Sequence, residues 1–89
     1  MAIALLMEFD GGTKAHYDAV MKELKLEKME PGEIFHAGGV LNGNLRVIDV
    51  WESQADFDRF FKNKLQRALQ NAKVPPPKVT TIPLHNVMK

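Results

Sequence analysis

The sequence contains no cysteine, and only one tryptophan and one tyrosine among its 89 residues. Without thiols, neither disulfides nor thiolate metal sites can add stability. Charge of one sign is also missing: the formal net charge is +1. Nothing therefore points to electrostatic recruitment to nucleic acid or to an anionic membrane. No apolar run approaches the roughly 20 residues that span a bilayer. The segment Met1 to Asp10 is apolar but short, lacks a basic leader and soon meets Glu8 and Asp10. It reads as a buried strand rather than a signal peptide, and a cytoplasmic protein is the expectation. There is no phosphate-binding glycine motif, no Gly-x-Ser-x-Gly elbow and no carboxylate cluster for hydrolysis.

What is present is the make-up of an ordinary folded chain, 45% hydrophobic and 26% charged. Its length predicts one domain, residues 1–89, which buries about two-thirds of its unfolded surface and is marginal alone. Association with a second copy is the remaining common route to more burial.

Ala2 to Phe9 is a near-continuous apolar run, as in a central strand. Asp10-Gly11-Gly12 breaks it, and Thr13 can cap a helix over Lys14 to Leu26, whose stripe is Tyr17, Val20, Met21 and Leu24. Pro31-Gly32 ends the connection. Asn42-Gly43 between two apolar runs signals a two-residue type I′ hairpin. Ser53, with Asp56 three residues on, caps a second helix carrying Phe57, Phe60, Phe61, Leu65, Ala68, Leu69 and Ala72. Pro75, Pro76 and Pro77 form a stiff connector. The run Val79 to Val87 reads as a strand, and Pro83 places it on a sheet edge. The order β-α-β-β-α-β with right-handed crossovers predicts an α+β, ferredoxin-like domain: a four-stranded antiparallel sheet, both helices on one face, first and third strands central.

The hairpin turn sets a register in which Leu41 faces Asn44, Gly38 faces Val47, His36 faces Asp49 and Ile34 faces Trp51. One face then carries Phe35, Ala37, Ile48 and Val50, with Arg46 and Glu52 toward its ends. Being mostly apolar, it is expected against the helices. The other face carries Ile34, His36, Gly38, Val47, Asp49 and Trp51 and suits a pocket or a subunit interface. With Ile82 and Leu84 facing the helices, Thr81 and His85 would join His36, Asp49 and Trp51. An apolar patch of this kind predicts a homodimer, sheet against sheet.

His36 and Asp49 are the candidate catalytic residues, because a carboxylate opposite a histidine can orient the imidazole as a general base. The alternative is a polar cross-strand pair that sets register in an interface. Trp51, Tyr17 and His85 are candidate substrate-binding residues, with packing or solvent roles as their alternatives. His16, in the first turn of the first helix, is expected in solvent. No histidine pair has helical metal-ligand spacing, so no metal is expected. RNA binding is disfavoured, because Leu45 to Glu52 lacks the aromatic and basic-glycine signature of RNA-recognition modules.

The segment from Val50 to Phe57 (Val-Trp-Glu-Ser-Gln-Ala-Asp-Phe), with Phe60 following and Pro31-Gly32 and the hairpin before it, resembles the antibiotic-biosynthesis-monooxygenase-like family over residues 32 to 87. The resemblance implies a dimeric α+β barrel. It implies either oxidation of an aromatic metabolite by molecular oxygen without a cofactor, or a non-catalytic ligand-binding or structural dimer. His36, Asp49, Trp51 and Tyr17 would be the counterparts of the pocket residues. The haem-degrading branch carries a second tryptophan where Phe60 stands and a histidine later in that helix. Gln54 to Ala72 contains no histidine, so no haem or other cofactor is expected.

Overall fold

The computed structural model describes residues 1–24 and 29–88. Its elements are β1 (Ile3–Phe9), α1 (Lys14–Leu24), β2 (Glu33–Leu41), β3 (Asn44–Trp51), α2 (Gln54–Phe60), a π-helical turn (Phe61–Leu65), α3 (Gln66–Asn71) and β4 (Lys78–Pro83). The expected extension of α1 to Leu26 lies outside the described residues. The sheet order is β2-β3-β1-β4, all antiparallel, with β1 and β3 central. This is the ferredoxin-like α+β arrangement. Among the described residues no helix is long and apolar enough to cross a membrane.

Local chemistry accounts for the boundaries. Thr13 Oγ1 accepts from the His16 N–H (3.1 Å), while His16 Nδ1 accepts from the Thr13 N–H (3.2 Å). The pair acts as a capping box with an imidazole as the returning acceptor, so His16 starts α1 rather than merely facing solvent. Ser53 Oγ accepts from the Asp56 N–H at 3.2 Å and opens α2. Asn42 and Gly43 both take positive φ (53° and 79°), as a type I′ turn requires. Helices α2 and α3 are one rod interrupted by the π turn, since the residues at both junctions keep right-handed helical angles. The extra residue lets Phe60 and Leu65, five apart, both be buried.

The two sheet faces are exchanged relative to expectation. Val47, Asp49 and Trp51 lie under the helices, and Trp51 is wholly buried, packed against Phe57 and Phe60 (ring centroids 5.8 and 5.3 Å). Phe35, Ile48 and Ile82 are about half exposed on the open face. The first strand decides this. Ile3, Leu5 and Met7 pair with Trp51, Asp49 and Val47 and form the floor of the core, whereas the unbroken apolar run of β1 carried no signal of which residues point inward. Asp49 is tolerated inside because its oxygens are bonded there.

The register holds from Leu41 to Phe35 and then breaks. Glu30-Pro31-Gly32-Glu33 is a turn closed by Glu33 N–H to Glu30 O (2.9 Å), with Gly32 at φ +88°. The Gly32 carbonyl accepts from the Glu52 N–H at 2.8 Å. Glu33 is thereby drawn opposite Trp51, and Ile34, expected in that place, is left in a β-bulge. On the other edge β4 ends at Pro83, short of the expected Val87, after which Leu84 N–H bonds to Ala2 O.

Candidate functional site

Between the sheet and the helices lies an apolar cavity with a polar end. Met7, Phe9, Val20, Leu45, Val47 and Leu69 form its greasy wall, while Tyr17, Glu33, His36 and Asp49 converge at the other end. Its free volume is about 50 Å³, room for a few waters.

The polar groups form a chain of short hydrogen bonds. The Tyr17 hydroxyl lies 2.6 Å from His36 Nε2, and His36 Nδ1 lies 2.6 Å from Asp49 Oδ1. Asp49 Oδ2 accepts a longer bond (3.3 Å) from the Trp51 indole N–H. A carboxylate only accepts, so Nδ1 of neutral His36 carries the proton and Nε2 accepts from the tyrosine. The two rings are nearly parallel, 12° apart with centroids at 5.9 Å, which suits a bond along the nitrogen lone pair. Gly38 makes room: a Cβ there would sit 2.6 Å from Tyr17 Cε1.

Electrostatics follow from this packing. The hydrogen bond to Asp49, opposed by burial, raises the pKa of His36 above its ordinary value. Burial, then the charges of Asp49, Asp18 and Glu33, raises that of Tyr17, which keeps its proton. Burial, then the Asp49 charge, pushes the Glu33 carboxyl up to about 6.

His36, Asp49 and Tyr17 are thus brought together, with Trp51 one bond away in the core rather than on the cavity surface or in a subunit interface. His85 is not among them. It is exposed beyond β4 beside Met1, Ala2 and Pro83, across the full width of the sheet from His36. The strand ends at Pro83, one last backbone bond joins Leu84 to Ala2, and the chain then leaves the sheet. Thr81 is likewise exposed. Glu33 was invisible in the sequence, because strict alternation from His36 puts it on the opposite face; only the bulge turns it inward. A Pro-Gly turn directly before a strand is the one signal that pointed there.

No family model matches the chain, and no curated protein matches it. Solved structures do. A protein of unknown function from Nitrosomonas europaea superposes with a TM-score of 0.76 at 19% identity, over 99% of this chain and 93% of that one. A candidate antibiotic biosynthesis monooxygenase from Chloroflexus aurantiacus gives 0.68 at 13% identity, over 99% and 98%. SnoaB, a cofactor-independent oxygenase from Streptomyces nogalater, gives 0.66 at 10% identity, over 98% and 94%. The chain has the fold of antibiotic-biosynthesis-monooxygenase-like structures.

Proposed function

We propose that the chain forms a homodimer through its open sheet face and binds a small aromatic metabolite in the cavity of each subunit, oxidising it with molecular oxygen and no organic cofactor. The observation that carries this reading is the unbroken hydrogen-bond chain Tyr17–His36–Asp49, opening into an apolar cavity. A phenol placed at Tyr17 loses its proton to the tyrosine oxygen as the tyrosine proton passes to His36 Nε2. Asp49 holds the imidazole and stabilises the imidazolium. Ionisation of the phenol makes the ring electron-rich enough to reduce oxygen. In the simplest case a phenol and O2 give a quinone and water, with one oxygen atom in each product. The cofactor-independent oxygenase among the similar structures lends this reading its reaction class.

The dimer rests on Phe35, Ile48 and Ile82, with Ala4, Leu6, Ala37 and Val50 between them, an apolar sheet face too large to leave in water. The small cavity favours a second reading, a non-catalytic dimer in which the polar chain only satisfies Asp49. Oxygen uptake with a panel of phenols and hydroquinols separates the two. His36→Ala and Asp49→Asn abolish turnover in folded protein on the first reading. Full activity in both variants sinks it.

A further inference from the structure

Glu33 has no part in the proton chain, yet its carboxylate is weakly held. Its side chain is only 5% exposed. Oε1 has a long 3.4 Å contact with the Glu30 N–H, and among the described residues Oε2 meets only His36 Nδ1, at 4.0 Å, outside hydrogen-bond range. One donor atom from each of Glu33, His36 and Asp49 lies within 4.8 Å of the others.

We propose that Glu33, His36 and Asp49 bind one divalent first-row transition cation, and that this cation competes with the proton chain for His36 Nδ1. One imidazole and two carboxylates without a thiolate suit Zn²⁺, Mn²⁺ or Fe²⁺ rather than soft monovalent ions. Ligand bonds of about 2.0–2.2 Å set ligand atoms roughly 3–3.5 Å apart. His36 Nδ1 and Asp49 Oδ1, now 2.6 Å apart, open to admit the ion, and rotation of the Glu33 carboxylate closes its 4.0 Å gap to Nδ1. Two outer contacts are already built. The Trp51 N–H holds the second oxygen of Asp49, and the Tyr17 oxygen stands where a proton on His36 Nε2 would be donated. Such contacts orient metal ligands and fix the histidine tautomer. Glu33, His36 and Asp49 all line the cavity, whose volume of about 50 Å³ leaves room for water as a further ligand.

The competition follows from the tautomer. Metal on Nδ1 moves the imidazole proton to Nε2, and His36 can then no longer accept from Tyr17. The loaded site is closed to the proton transfer proposed above.

The test is titration of the full chain, freed of metal by chelation, with Zn²⁺ by calorimetry and with Co²⁺ by visible absorption. One saturable equivalent per chain and the ligand-field bands of bound Co²⁺ are expected. Glu33→Gln, nearly isosteric, should weaken binding at least about 10-fold. Thermal melts without metal show that each variant is folded. Absence of saturable binding overturns the proposal. So does undiminished binding in both Glu33→Gln and His36→Ala, which would move the ion to His16 or His85. Binding is read without turnover, so its failure leaves the oxidation reading standing, and failure of that reading leaves this one standing.

Discussion

Gly38 and Tyr17 occupy one space: the tyrosine ring lies where a side chain on Gly38 would be, with Cε1 2.6 Å from an ideal Cβ. The contact joins α1 to β2 at the one point where the hydroxyl reaches His36. Gly38→Ala should therefore displace the ring while leaving the sheet paired, since β2 is an edge strand. The expected result is a folded protein in which the tyrosine titrates nearer its ordinary value, followed by ultraviolet absorption at high pH. An unchanged titration would mean that the ring is held by something else.

Stability should fall as pH rises through the range of the polar cluster. The Glu33 carboxyl titrates at 4.5 when free and at about 6 here, so the folded state holds that proton more tightly than the unfolded state. The resulting stability is present below pH 4.5 and lost as pH rises through about 6. His36, also raised, contributes in the same sense: its share is present below its ordinary value of 6.5 and lost above the folded one. In metal-free protein Glu33→Gln should stay neutral and gain about 1 kcal/mol over the parent above pH 6, after allowance for solvent screening. Parallel melting profiles for the two proteins would contradict this.

Lys73 ends the long helix in a left-handed conformation (φ 58°). Its N–H bonds to Gln70 O and that of Val74 to Leu69 O, the double closure in which glycine is usual. Lys73→Gly should stabilise the chain by about 1 kcal/mol, a rise of about 4–8 °C in Tm. A lower Tm would show that the lysine side chain has a partner that outweighs its backbone strain.

Ile48 sits on the open face of the central strand β3, about half exposed with Phe35 and Ile82 on the same side. Ile48→Lys should turn a dimer into a monomer in sedimentation equilibrium, with the far-ultraviolet spectrum retained. A wild-type monomer at tens of micromolar would remove the barrel.

The turn chemistry at Asn42-Gly43, the cap at Ser53 and the aromatic stripe of the second helix were legible, because each is a local signal. The His36–Asp49 pairing was legible too, since one turn sets it by counting. Which way that pair faces was not. Polarity argued that a surface with an aspartate and a histidine should avoid the helices. Hydrogen bonds from His36 and Trp51 remove the cost of burying Asp49, and the packing of Trp51 on Phe57 and Phe60 outweighs it. Glu33 was missed because a bulge reverses alternation, and bulges arise from contacts between strands, here Glu52 to Gly32. His85 was misplaced because the alternating pattern continued to Val87, whereas the strand ends at Pro83 and its last backbone bond is made by Leu84.

The central claim is that His36 is held between a tyrosine and a buried carboxylate in one tautomer. Nuclear magnetic resonance of the metal-free protein with ¹⁵N-labelled imidazole reads this directly. The account predicts a slowly exchanging, strongly downfield Nδ1 proton on His36, a pKa above 6.5, and loss of both in Asp49→Asn. A His36 signal that averages both tautomers and titrates like a solvated histidine would contradict it.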